Sequence, residues 1–105
     1  MPETDRFLRA CRREPVDVTP VWFMRQAGRA LPEFRAIRAE ASLVEITRDP
    51  ALCTEVTLQP VRRLGVDAAI LFADITTPLH GIGVPFQIIA GRGPVIERPV
   101  RCVAD

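Results

Sequence analysis

A chain of 105 residues, nearly half of them apolar, is long enough for one small domain with a core of its own. Its 14 basic and 13 acidic residues leave a net charge of +1, which excludes a general attraction to nucleic acid or to an anionic membrane. All of the basic residues are arginine. Any affinity for anions must therefore be local.

The spacing of the cysteines and the charges near the N-terminus predict a cytoplasmic protein. Cys11, Cys53 and Cys102 are odd in number and far apart, with no CxxC or CxH cluster. This predicts reduced thiols in a cytoplasmic protein and argues against a disulfide scaffold or a zinc site. Charges throughout residues 1–15 leave no apolar stretch of signal-peptide length, so neither secretion nor a membrane span is expected.

The chain opens with a predicted short helix and continues into a predicted strand. Thr4 is the expected N-cap of the helix, and Pro15 ends it. The apolar run from Val21 to Met24 indicates a buried strand, with Trp22 and Phe23 in the core rather than acting as stacking platforms.

Two arginines spaced around a glycine follow this strand directly, in the order Arg25, Gln26, Ala27, Gly28, Arg29. A guanidinium stays charged at any working pH and offers paired planar donors to a carboxylate or phosphate. Glycine lets the backbone come close to a ligand or take a positive φ. The pattern predicts an anion-binding segment. The alternative is that these arginines are surface residues paired with nearby acids.

Three helix starts follow. Pro32 is expected to open a short helix that carries Arg35 and Arg38 and extends the cationic region. Ser42 is the expected cap of a second short helix, which runs through Ile46.

The third start combines a cap and a first helical position in Asp49 and Pro50, and its helix is expected to end at Gly65. Pro60 lies inside this helix, so a kink or a break near Gln59 is expected.

After this helix, the run Ala68–Phe72 is typical of a strand buried on both faces. Strand, long helix and strand make a βαβ unit, in which the two strands are parallel. Asp74 follows the second strand as Arg25 and Arg29 follow the first, so these side chains are expected to converge at one mouth. The alternative role of Asp74 is to cap a helix near Thr76–Leu79.

The rest of the chain predicts a hairpin, with two short apolar pieces around a turn of Gly91, Arg92 and Gly93. This turn lacks the glycine spacing of a phosphate-binding loop. His80 is the only histidine, lies in an expected loop, and is predicted to be a surface or capping residue rather than a catalytic one.

Two motifs carry a resemblance to a known family. PVWFMRQAGRALPEFR is similar to a signature of the uroporphyrinogen decarboxylases, PVWxMRQAGRYLPEYR, with Ala30 in place of the usual tyrosine. ILFADITTPLHGIG resembles their second signature, close to ILFSDILTIP, with Ala73 in place of a common serine. The resemblance runs from Thr4 to the last residue but covers only about the first third of that family, whose barrel takes about 250 residues.

The resemblance implies an α/β fold, in which residues 1–105 are the N-terminal portion of a single (β/α)8 TIM barrel and hence a fragment of it. It also implies a cofactor-free, metal-free carboxy-lyase of haem and porphyrin biosynthesis, which removes the acetate carboxyl groups of uroporphyrinogen III to give coproporphyrinogen III. Such an enzyme is commonly a cytoplasmic homodimer.

The resemblance further implies roles for site residues. Asp74 is expected at the centre of the substrate macrocycle, as the catalytic and a binding residue. The acetate and propionate groups are expected to be bound by Arg25, Gln26, Ala27, Gly28, Arg29 and Arg38.

Two other hypotheses stay open. A zinc- or corrinoid-dependent methyltransferase is similar in fold, but it would need a histidine and cysteines close together, and His80, Cys53 and Cys102 are widely spaced. A truncated, non-catalytic porphyrin-binding module would bind the tetrapyrrole without releasing carbon dioxide.

Overall fold

The computed structural model of the chain describes residues 5–24 and 27–105. These residues belong to two compact units, the first ending at Phe72 and the second beginning at Ala73. The helices of the first unit are α1 (Arg6–Cys11), α2 (Pro32–Glu40), α3 (Leu43–Arg48) and α4 (Pro50–Leu64). The second unit contains α5 (Thr77–Gly81), β1 (Phe86–Ile89) and β2 (Gly93–Ile96).

The helix α1 confirms the short helix expected near the N-terminus, which ends before Pro15. Asp5 stands at its N-cap and makes no side-chain cap bond. The predicted cap, Thr4, lies outside the described residues. Beyond the helix, Arg13 has a φ of 62°, in the left-handed region, where the chain turns away from the helical path.

Local sequence signals, a proline for α2 and a side-chain cap for α3, mark the starts of the next two helices, as the sequence predicts. Pro32 occupies the first turn of α2, where its fixed φ suits a helix and its missing N–H is not needed. At α3, the Ser42 hydroxyl accepts the Glu45 N–H at 3.2 Å, and the Glu45 carboxylate accepts the Ser42 N–H at 2.7 Å. This capping box confirms Ser42 as the cap, and α3 extends past the expected end at Ile46 to Arg48.

The long helix α4 begins and ends where predicted. The Asp49 carboxylate accepts the N–H groups of Ala51 and Leu52, and Gly65 closes the helix with a φ of 65°. Of the expected kink or break near Gln59, the break is wrong, because α4 continues through Pro60 without interruption, and the kink stays a prediction. Both residues are buried, so packing outweighs the local cost of a proline inside the helix.

The core of the first unit lies among α2, α3 and α4. Its buried apolar side chains are Leu31, Phe34, Ile46 and Val56, and the last two are fully buried. Phe72 packs against this cluster, with its ring centroid 5.6 Å from that of Phe34. The first unit is therefore held together by helix packing. The end of the second apolar run, at Phe72, packs against these helices.

The two predicted parallel strands are absent from residues 5–24 and 27–105. Neither Val21–Met24 nor Ala68–Phe72 is a strand, although a backbone hydrogen bond from the Asp67 N–H to the Val21 carbonyl, at 2.8 Å, joins the starts of the two stretches. Trp22 is 43% exposed and Leu71 is 72% exposed. The prediction that Trp22 lies in the core and that the second run is buried on both faces is therefore also wrong. A strand buried on both faces needs neighbouring layers to cover it, and apolar runs without such cover stay exposed.

The predicted hairpin is confirmed in the second unit. β1 and β2 pair antiparallel, with Phe86 opposite Ile96 and Ile89 opposite Gly93. The turn between them uses positive φ at Gly91, at 75°, and at Gly93, at 84°, which glycine adopts without steric cost. The described residues thus form a small mixed helix-and-strand fold.

Candidate functional site

The arginine segment is described from Ala27 onward, since Arg25 and Gln26 lie outside the described residues. Ala27 packs against the core of the first unit. Gly28 has a φ of 156°, which side-chain-bearing residues rarely adopt, and its carbonyl accepts the Leu31 N–H at 3.0 Å. The segment therefore enters α2 through a turn whose first residue favours glycine.

Arg29 lies at the surface of this turn. Its side chain is exposed and makes no hydrogen bond or ion pair with the residues that the structure describes. Its carbonyl accepts a hydrogen bond from the Arg35 guanidinium, with Nη1 at 2.7 Å. The neighbouring Ala30, which stands where the resembling signature has tyrosine, is exposed as well. Arg29 is therefore exposed where an anionic ligand could reach it, and no ion pair with the described residues accounts for it.

Arg35 and Arg38 are partly engaged by the protein itself. Arg35 supports the turn through the carbonyl of Arg29, and Arg38 donates from Nη1 to the Ala41 carbonyl at 2.7 Å, beyond the end of α2. A guanidinium has five N–H donors, so each keeps others for a ligand. Both side chains are exposed, which leaves the charge of α2 facing solvent.

Asp74 lies in a turn directly before α5. Its Oδ2 accepts the Thr76 N–H at 2.9 Å and also the Thr76 hydroxyl, while its own N–H donates to the Thr77 hydroxyl at 3.0 Å. Asp74 thus accepts hydrogen bonds at the start of α5, as in the alternative in which it caps this helix. The N-cap position itself is occupied by Thr76. The hydroxyl of Thr76 and then its N–H lower the pKa of Asp74 below its ordinary value, so the carboxylate is ionised at neutral pH.

The carboxylate of Asp74 keeps acceptor positions for a ligand. Oδ2 takes both bonds from Thr76, and the Ile75 N–H is a further, weaker backbone donor that lowers the pKa of the carboxyl. The side chain is exposed. The turn thus orients an exposed carboxylate, whose two oxygens have more acceptor positions than these bonds use.

The predicted meeting of Asp74 with Arg25 and Arg29 stays a prediction. Arg29 belongs to the first compact unit and Asp74 to the second, and Arg25 is outside the described residues.

His80 is placed differently from the sequence-based expectation. It lies in the last turn of α5 rather than in a loop, and its ring packs 4.1 Å from that of Phe86. Its Nε2 is buried and has no hydrogen-bond partner among the described residues. His80 is therefore a packing residue between α5 and the hairpin.

An ion-pair network centred on Arg6 was not anticipated from the sequence. Arg6 donates from Nε and Nη2 to the two carboxylate oxygens of Asp17, both at 2.6 Å, and from Nη1 to Asp67 at 2.7 Å. The remaining oxygen of Asp67 accepts the Val21 N–H at 2.8 Å. The one sequence signal is that Asp67 is the charged residue immediately before the apolar run that ends at Phe72.

Two features are missing from the part of the chain that the structure describes. No helix there combines the length and the apolar character needed to cross a membrane. No three side chains of histidine, cysteine, aspartate or glutamate gather closely enough there to hold a metal ion. The three cysteines are free, with Cys53 half-buried and Cys11 and Cys102 exposed.

The described residues therefore define a mixed helix-and-strand protein with a cationic, glycine-containing turn and an exposed, oriented carboxylate. The sequence model of the family described as uroporphyrinogen decarboxylase (URO-D) matches residues 2–105. The chain belongs to this family.

Curated relatives named uroporphyrinogen decarboxylase agree with this assignment. The chain is 65% identical over 97 residues to that of Sorangium cellulosum, which covers 92% of this chain and 28% of the relative. It is 59% identical over 104 residues to that of Salinispora tropica, covering 99% of this chain and 28% of the relative. For Carboxydothermus hydrogenoformans the identity is 58% over 101 residues, with coverages of 96% and 29%. The chain thus spans less than a third of the length of these relatives.

Proposed function

We propose that the protein to which this chain belongs is a uroporphyrinogen decarboxylase. It removes the acetate carboxyl groups of uroporphyrinogen III and gives coproporphyrinogen III, in haem and porphyrin biosynthesis. The observation that carries this proposal is the family match over residues 2–105, which includes both signature motifs. The names of the relatives do not favour the methyltransferase alternative.

The chemistry assigns Asp74 the central role. Decarboxylation of a pyrrole acetate is eased by protonation of a ring carbon, because the cationic pyrrole then accepts the electron pair that the departing carboxylate leaves behind. A fixed carboxylate would accept hydrogen bonds from the pyrrole N–H groups and stabilise that positive charge. Asp74 suits this role because its pKa is lowered by Thr76, its Oδ2 is held by two hydrogen bonds, and its side chain is exposed.

The arginine segment would bind the carboxylates of the substrate. Arg29 is the best supported member, because it is exposed and its guanidinium makes no ion pair with the described residues. Arg38 is a weaker candidate, since one of its donors is bonded to the Ala41 carbonyl. The other proposed contacts are with Arg25, Gln26, Ala27 and Gly28.

The fold proposal follows from the family. Residues 1–105 would form the N-terminal portion of a single (β/α)8 barrel domain, in a cytoplasmic, homodimeric enzyme that needs no cofactor. Support comes from the exposure of the apolar runs, since Met24 is 80% and Leu71 is 72% exposed. Neighbouring barrel strands and helices would cover such side chains.

Product analysis of the complete protein tests the function. Anaerobic incubation with uroporphyrinogen III, followed by oxidation and chromatography of the porphyrins, should show coproporphyrin and partly decarboxylated intermediates, with matching release of carbon dioxide. Saturable binding of the tetrapyrrole without carbon dioxide would instead support the non-catalytic binding module. If the protein neither bound the tetrapyrrole nor released carbon dioxide, both the decarboxylase and the binding-module hypotheses would be contradicted.

A further inference from the structure

The network of Arg6, Asp17 and Asp67, here called the Arg6 network, holds the chain at Val21. Asp67 makes two hydrogen bonds to Val21, each 2.8 Å long. The Asp67 carboxylate accepts the Val21 N–H, and the Asp67 N–H donates to the Val21 carbonyl. The bond from Val21 is the largest cause that lowers the pKa of Asp67, so the carboxylate remains charged. Both polar backbone groups of Val21 are thereby fixed by one residue.

The geometry of Arg6 in turn fixes the carboxylate of Asp67. The side chains of Arg6 and Asp67 are 20% and 12% exposed, whereas that of Asp17 is 65% exposed. The Arg6–Asp67 contact is therefore the less solvent-screened half of the network. Asp17 occupies two other donors of the guanidinium in a paired arrangement, which sets the orientation of the arginine.

The position of Val21 in the chain gives this contact a consequence for the arginine segment. Val21 is four residues before Arg25 and eight before Arg29. Among the described residues, Val21–Met24 and the turn at Gly28 lie outside any helix or strand, so the contacts of Val21 contribute to the path of the chain here. A shift at Val21 would pass along the backbone toward the arginines.

The second apolar run is tied at both ends. Asp67 fixes its beginning, and at its end Phe72 donates its N–H to the Thr57 hydroxyl at 2.9 Å and accepts a hydrogen bond from the Cys53 thiol at 3.3 Å. Thr57 and Cys53 both lie on α4. The run is thus a fixed support, against which Asp67 can hold Val21.

We propose that Asp67, oriented by Arg6, is a positioning residue that sets the placement of the arginine segment for substrate binding. The proposal rests on the proposed function, since the segment is taken to bind the substrate's carboxylates. Asp67 itself touches no substrate and acts through the backbone of Val21.

Three variants of the complete protein test the proposal. Asp67→Ala removes both side-chain contacts, while Asp67→Asn keeps an amide oxygen for the Val21 N–H and loses the charge that pairs with Arg6. Arg62→Gln is the control, because it breaks an exposed ion pair with Glu55 elsewhere on α4. The readouts are KM and kcat for uroporphyrinogen III and the hydrogen-exchange rate of the peptide that contains residues 20–24.

The proposal predicts a KM about tenfold higher for Asp67→Ala, since small misplacements of binding groups are costly, together with faster exchange at residues 20–24. Asp67→Asn should recover KM to within about threefold of the wild type, because the bond to Val21 is kept. Arg62→Gln should match the wild type in both readouts. A purely structural role would lower the melting temperature of Asp67→Ala and leave its KM unchanged, which would overturn the proposal.

Where Asp67→Ala fails to fold, Arg6→Lys gives the answer, since lysine keeps the charge but not the planar fork that joins two carboxylates. The proposal predicts a KM about threefold higher for this variant, and an unchanged KM would overturn it. An inactive wild type would contradict the proposed function instead. In that case exchange still tests the hold on Val21: faster exchange in Asp67→Ala supports it, and unchanged exchange rejects it.

Discussion

The carboxylate of Asp74 accepts two hydrogen bonds from Thr76, one from its N–H and one from its hydroxyl. Thr76 is buried, whereas Asp74 is exposed. A buried residue therefore orients a charged group at the surface, and both of its bonds reach the same oxygen, Oδ2. The same bonds lower the pKa of Asp74, so orientation and ionisation have a common cause.

This relationship predicts a pH dependence of stability. Because the pKa of Asp74 is lower in the folded protein than its ordinary value of 3.8, the bonds from Thr76 stabilise the fold above that value. The contribution is lost as the pH falls through the folded pKa. The measurement is the melting temperature from pH 7 to pH 2 for the wild type and Thr76→Val.

Thr76→Val removes the hydroxyl donor and keeps the N–H. The pKa of Asp74 in this variant should therefore lie nearer to 3.8. The difference in melting temperature between the two proteins should be constant near neutral pH and should shrink in acid. A difference that grows as the pH falls would show that the assigned cause of the pKa shift is incorrect.

Arg29 should contribute to substrate affinity. We expect Arg29→Ala to raise KM by about tenfold or more, since a charge-assisted hydrogen bond to a carboxylate is worth about 1.5–3 kcal/mol. Arg29→Lys should give an intermediate KM, because a point charge replaces the planar fork. The measurement is steady-state kinetics of the complete protein with uroporphyrinogen III.

Arg92→Ala is the matched control for Arg29. It is also an exposed arginine next to glycine, but it lies in the hairpin turn and in the other compact unit. Its KM should equal that of the wild type. Equal KM values for Arg29→Ala and Arg92→Ala would remove Arg29 from the proposed binding segment.

Ser42 should stabilise the fold through the capping box of α3. Ser42→Ala removes the acceptor for the Glu45 N–H and should cost about 1 kcal/mol, measured as a lower melting temperature. Ser42→Asp should retain most of the stability, because aspartate also accepts at an N-cap. If the alanine and aspartate variants melted alike, the capping box would make no net contribution.

Local chemistry made several elements predictable. Ser42 and Asp49 are side-chain caps, and Gly65 is a left-handed stop, so each acts within a few residues of its own position. The hairpin around Gly91 and Gly93 has the same local origin. Such signals depend on neighbours in sequence, which a single chain displays directly.

The incorrect and missing predictions concern contacts between distant residues. The sequence predicts a strand at Val21–Met24, but a strand forms only where a neighbouring strand pairs with it. Asp67 meets Val21 across 46 positions and Arg6 across 61, and no periodicity in the sequence encodes these contacts. The path of α4 through Pro60 likewise depends on burial, which is set by packing.

Turnover of Asp74→Asn in the complete protein tests the central claim most directly, with Asp105→Asn as the control. Asparagine keeps a side-chain oxygen for the Thr76 N–H and so preserves the turn, while it removes the charge. Asp105 is a comparable carboxylate, which accepts the N–H groups of Arg101 and Cys102.

We expect Asp74→Asn to lower kcat at least about a hundredfold, since it removes the charge that stabilises the cationic pyrrole, and Asp105→Asn to remain near the wild type. Circular dichroism of both variants should match that of the wild type. Near-normal turnover by a folded Asp74→Asn variant would contradict the assignment of Asp74 as the catalytic carboxylate.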